Sequence, residues 1–153
     1  MDAKQKDLLL KGAAAALVLA FFLTWNKILD ATALNLVFDS RYQADFIDKI
    51  LLLLPALTGA GILYYVFQKK GQYPLDQKLL YSIPAAAMVV LYFITNSRLD
   101  KLRRLGGQIS MTDVLGAGFW IAAVGALALL YLAFGDQIKK NIDKNKTADT
   151  HRP

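Results

Sequence analysis

The amino-acid sequence predicts an all-α integral membrane protein, a four-helix transmembrane bundle whose neighbouring helices run antiparallel, up and down. Two observations carry that expectation. Hydrophobic residues make up 56% of the 153, against roughly 45–50% in ordinary soluble domains. The charged residues, 18 Lys+Arg against 12 Asp with no Glu, are confined to the margins of long uncharged runs. Three such runs, Ile50–Phe67, Leu79–Ser97 and Val114–Gly135, hold 18, 19 and 22 residues. About 18 or more apolar residues in a helix span a bilayer's hydrocarbon. An ordinary soluble enzyme, a disordered chain and a fibrous protein are excluded.

A first span is expected over 8–29, although its longest uncharged run, Gly12–Asn26, has only 15 residues. Lys11 and Lys27 fall near its ends, where lysine stems follow the apolar slab while the ammonium reaches the headgroups. Lys4, Lys6 and Lys11 ahead of Gly12–Leu23, with the later triplet Ala31-Thr32-Ala33, resemble a secretory signal. Trp25, Asn26, Lys27 and Asp30 make the intervening stretch too long and too polar for a usual cleavage region, so it reads as a retained span. In the connection Asp30–Lys49, Leu34, Leu36 and Phe38 alternate with other residues and fit either a short strand or a surface helix.

The second span is expected over 46–68 and the third over 79–96. The breaker-rich connection between them makes the two antiparallel neighbours. Between 96 and 110, Leu99, Leu102 and Leu105 recur among Arg98, Lys101, Arg103 and Arg104, a short basic amphipathic linker suited to the headgroup level. The fourth span is expected over 112–134, its start capped by Asp113 and Ser110. The transmembrane domain thus covers 1–134, and 135–153 reads as a flexible polar cytoplasmic tail.

Orientation follows from Lys and Arg counts. The side holding both termini and the second connection has eleven, the other side seven. This places both termini in the cytoplasm, most simply of a plasma or inner membrane. The four cations of the 98–104 linker oppose that assignment.

Chemistry is sparse. Without cysteine there is no thiolate site, and the single histidine, His151, lies in the polar tail. No metal, cofactor or catalytic residue is expected. Neither the net charge of +6 nor any motif points to nucleic acid; loops facing anionic headgroups account for the excess. No Asp, Lys, Arg or His lies near the middle of a span. A proton- or sodium-coupled carrier needs such a group in its path.

Small residues are more regular. Gly12, Ala16 and Ala20 recur every four positions in span one, Ala56 and Ala60 in span two, and Gly118, Ala122 and Ala126 in span four. In lipid, helices associate by close van der Waals approach, which small side chains permit. Tryptophan and tyrosine near span ends, Trp25 among them, are expected to anchor at the interface. Phe119 and Trp120 lie deeper, where bundle packing is the first expectation.

The leading expectation is a non-catalytic subunit that packs against another membrane protein, a second copy of itself or lipid. Arg98, Lys101, Arg103 and Arg104 are then candidates for headgroups or a partner. One alternative is a passive channel or carrier for a neutral or hydrophobic solute, running past Pro55, Thr58, Ser82 and Pro84. A second is a membrane enzyme using Asp39, Arg41 and Asp45 at headgroup level.

Overall fold

The computed structural model describes residues 1–68, 75–104 and 107–149, with side chains for all of these but Leu102 and residues 136–149. Most of the connection after span two, together with Leu105, Gly106 and His151, lies outside the described residues.

The chain is mostly helical. Among the described residues, three helices contain stretches long and apolar enough to cross a membrane: Phe46–Gln68, Gln77–Lys101 and Ala117–Gly135. The elements in order are α1 (Ala3–Ala20), β1 (Thr24–Asn26), β2 (Ala31–Thr32), α2 (Ala33–Phe38), a 3-10 turn (Ser40–Tyr42), α3 (Phe46–Gln68), α4 (Gln77–Arg104), α5 (Met111–Val114) and α6 (Ala117–Asp149).

The expected first span is not one helix. A capping box of Asp2 and Gln5 starts α1, but the helix stops at Ala20. There the Trp25 indole folds back and donates to the Ala20 carbonyl, taking up one of the acceptors that a helix end leaves bare. Thr24–Asn26 then pairs antiparallel with Ala31–Thr32. The turn between them needs a positive φ at Asp30, a conformation aspartate tolerates better than most residues. With Lys4, Lys6, Asp7 and Lys11 in its first half, α1 is not among the three described helices long and apolar enough to cross a membrane by themselves.

The ambiguity over 34–38 resolves as the short helix α2, which Thr32 caps by accepting from the Asn35 amide. The basic stretch 98–104 is no linker: α4 continues through it to Arg104. Asp76 starts that helix by accepting from the Lys78 and Leu79 amides. Ser110 and Asp113 do form a reciprocal cap, but on the separate four-residue helix α5. The chain is extended at Leu115 before α6 begins. α6 itself reaches Asp149, so most of the expected tail is helical.

The four long helices pack in a ring, α1 against α3 and α6, and α4 against the same two. Glycine sets how close they come. A side-chain carbon added at Gly59 of α3 would lie 2.6 Å from the Ala14 carbonyl oxygen, and one at Gly125 of α6 would lie 3.1 Å from that of Ala13. The core threads between them through Ala14, Leu17, Ala20, Ile62, Ala122, Ala126 and Leu129, all nearly inaccessible. The outside is also apolar: Leu57, Val89, Phe93, Val124 and Leu127 are all more than half exposed. In water that surface would carry a large penalty; in hydrocarbon it carries none.

Candidate functional site

Polar chemistry collects at one end of the helices, where α3 begins, α4 ends and the β1–β2 hairpin lies. Asp45 precedes α3 and Asp48 sits in its first turn, where the helix dipole favours a carboxylate. Because α4 runs antiparallel, Arg98 arrives beside them. Its Nη1 donates to Asp48 Oδ2 at 2.5 Å and its Nη2 to Asp45 Oδ2 at 2.8 Å. Asp48 is buried, at 8% exposed, whereas the Asp45 side chain is 74% exposed. The guanidinium therefore compensates a carboxylate that has lost its water, and removing it would strand that charge.

A second wall comes from the hairpin. Trp25 is buried, edge-on to Phe119 with ring centroids 6.0 Å apart. Its backbone carbonyl accepts from the Gly116 amide, and the Lys27 amide donates to the Val114 carbonyl. This bridge lays residues 114–116 alongside β1 and requires glycine at 116. An added side-chain carbon there would lie 2.1 Å from the Thr24 carbonyl oxygen. Gly118, two residues on and in the first turn of α6, faces the Trp25 ring and the Ala20 carbonyl in the same way.

Between the walls lies a cleft of about 220 Å³. Leu36, Leu52 and Leu91 line it together with Trp25 and Phe119; Asn26, Tyr42, Gln43 and Thr95 contribute neutral polar groups. Gln43 adopts a positive φ of 41°, a strained conformation for a residue with a side-chain carbon. Its charged lining is Asp45, Asp48 and Arg98, two negative groups to one positive.

Nearby loop carboxylates serve local structure. The Arg41 side chain hydrogen-bonds Asp39 and holds its carboxyl below the usual 3.8. Arg41 is exposed, Asp39 is half-buried, and both lie outside the cleft, so Asp39, Arg41 and Asp45 do not converge on one site. Asp113 is likewise lowered, first by hydrogen bonding from the Ser110 side chain and then its amide, with help from Lys27. Among the described residues, no group of three His, Cys, Asp or Glu could hold a metal ion.

The small residues expected to pack divide. Ala20, Gly118, Ala122 and Ala126 are buried, Ala16 and Ala56 are half-buried, and Gly12 and Ala60 face outward. The packing face of α1 is Ala13, Ala14, Leu17 and Ala20, offset from the four-residue ladder. Its alternation of three- and four-residue steps was masked by the Ala13–Ala16 run. Of the basic quartet, Arg98 is drawn into the cleft, and Arg103 donates to Asp100 and the Ile109 carbonyl. Lys101 and Arg104 remain exposed.

Pro55 and Pro84 are fully buried, Thr58 is buried, and Ser82 bonds back to the Lys78 and Leu79 carbonyls of its own helix. None of the four lines the cleft. Sequence reasoning also missed the structural weight of Asp48, Gly116 and Gly125. Trp25 it placed at the interface as an anchor; the ring is instead a buried plug. Compared with family models, curated proteins and solved structures, the chain finds no match.

Proposed function

We propose that the protein is a small multi-pass membrane subunit whose four long helices form an antiparallel transmembrane bundle, both termini cytoplasmic. It acts by packing against another membrane protein, a second copy of itself or lipid, rather than by catalysis. The observation that carries this reading is the outward face of the helices. Leu57, Val124 and Leu127 point away from the core, as a bilayer requires. On α1, Leu8 and Leu19 do the same, as does Phe22 just past its end, which supports seating this shorter helix in the membrane beside the others.

Gly12 favours association over simple embedding. It lies inside a helix, where glycine is worth roughly 0.5–1 kcal/mol less than alanine, yet an added side-chain carbon would meet nothing within 4 Å. Among the described residues nothing packs against that site to offset the cost; close approach by a second helix would do so. Ala60 offers a similar small outward surface on α3.

The experiment is purification in mild detergent at native expression, followed by cross-linking and mass spectrometry. A defined second chain, or a homo-oligomer lost on Gly12→Leu, is expected. A stable monomer with transport or chemical activity of its own would overturn the reading.

A further inference from the structure

We propose that the cleft at the hairpin end binds an amphiphile with an ammonium head, set beside Asp45 and Asp48 and against the Trp25 and Tyr42 rings. This deepens the membrane reading above, on which it rests, by naming the lipid chemistry the protein would select. The cleft's carboxylates outnumber its one guanidinium. A cationic head is attracted to that arrangement, whereas a purely anionic head meets two like charges. Trp25, Tyr42 and Phe119 are in the lining, and an aromatic ring whose face meets the head adds a preference for cations over neutral groups.

Size and depth define the rest of the ligand. About 220 Å³ is less than the roughly 300–1,000 Å³ of pockets that enclose a drug-sized molecule. It suits a head and its first carbons, the remainder lying outside. Asp48 is the third residue of α3, at the margin of a span, and Leu52 lines the cleft about one turn deeper on the same helix, with Phe119 near the start of α6 also in the lining. An amphiphile entering at headgroup level would thus put its charge at the rim and its chain toward the hydrocarbon. Asn26, Gln43 and Thr95 provide neutral partners for a phosphate ester where the head is zwitterionic.

The same ammonium could belong to phosphatidylethanolamine of the bilayer or to a free long-chain amine, and one titration separates them. Trp120→Phe leaves Trp25, inside the cleft, as the only tryptophan of the two in the chain. Its emission is followed in neutral detergent at pH 7 as short-chain phosphatidylethanolamine, short-chain phosphatidylglycerol or decylamine is added. The expected result is a saturable change with an ammonium-bearing probe, none with phosphatidylglycerol, and at least threefold weaker binding in Asp45→Asn. A response to phosphatidylethanolamine assigns the bilayer as source; a response to decylamine alone assigns a soluble amine.

The Asp45 side chain is mostly exposed, so its variant keeps the fold, checked by circular dichroism. Asp45→Asn/Asp48→Asn should lose at least tenfold; if it fails to fold, the single variant decides. No saturable change with any probe, equal binding of phosphatidylglycerol, or an unaltered Asp45→Asn overturns the proposal. Subunit association is read separately from unliganded protein by cross-linking, so either idea can fail while the other stands.

Discussion

The two ends of the helical body are built from different materials. Along the sequence, the segments of the cleft end carry seven Lys and Arg and six Asp; the two terminal segments and the connection between α3 and α4 carry eleven and six. The cleft-end charges are largely committed to one another: Arg98 to Asp45 and Asp48, Arg41 to Asp39, and Arg103 to Asp100. Backbone is committed there too, through the hairpin and its bridge to Leu115. Of the four cations that oppose the orientation by count, Arg98 ties α4 to the start of α3, and Arg103 bonds Asp100 of its own helix and the Ile109 carbonyl. The surplus of Lys and Arg in the sequence lies with the termini, the count on which the proposed cytoplasmic placement rests.

Breaking the cleft end should cost most where backbone meets backbone. Gly116→Ala drives a side-chain carbon into the Thr24 carbonyl, and we expect a loss of about 3 kcal/mol or more. Gly118→Leu and Ala122→Leu should likewise disturb folding and not merely assembly. Thermal unfolding in detergent, followed by circular dichroism, reads all three. A Gly116→Ala protein melting within a degree or two of wild type would refute the bridge.

Arg98→Ala comes next. It leaves the Asp48 carboxylate buried without its partner, a loss of about 1–3 kcal/mol. Arg98→Ala/Asp48→Asn should recover part of that loss, and a double-mutant cycle measures the coupling. Additive effects would mean that the pair contributes nothing.

On the outer face of α1 the expectation reverses. Gly12→Ala should be neutral or stabilise by up to about 1 kcal/mol, because the site is open. Gly12→Leu should leave unfolding unchanged while abolishing cross-linking. Equal damage at Gly12 and Gly116 would erase the distinction between outward and inward glycines.

The smallest effect is acid-dependent. The folded Asp113 carboxyl titrates below 3.8, so its cap is fully in place above the unfolded value. The contribution fades as pH falls through the lower folded value. Hydrogen exchange at the α5 amides should therefore rise on that limb, and Asp113→Asn should flatten it. An unchanged acid limb in the variant would assign the effect elsewhere.

The spanning stretches were legible because uncharged runs of that length have one comfortable solvent. The absence of charge at mid-span was legible as well, since ionic residues are easily placed against those runs. The end of α1 was not. Continuity of apolar residues through Leu23 hid a stop that depends on Trp25 reaching back to Ala20, a contact with no local signature. The cleft escaped for a related reason: Arg98 lies some fifty positions from Asp45 and Asp48, and only the antiparallel register of α3 and α4 brings them together. Glycine roles were half legible. The ladder over Gly118, Ala122 and Ala126 is buried, whereas Gly59 and Gly116 gained meaning only once their neighbours were known.

The cysteine-free sequence allows the most direct test, single cysteines introduced one at a time and probed in native membranes with a water-soluble maleimide. Leu57→Cys, Val124→Cys and Leu127→Cys, at sites 62–68% exposed on this chain, should stay unlabelled until the membrane is dissolved in denaturant, while Asp30→Cys should react at once. Rapid labelling of the three outward sites in intact membranes, at the rate of Asp30→Cys, would mean that water rather than lipid covers them.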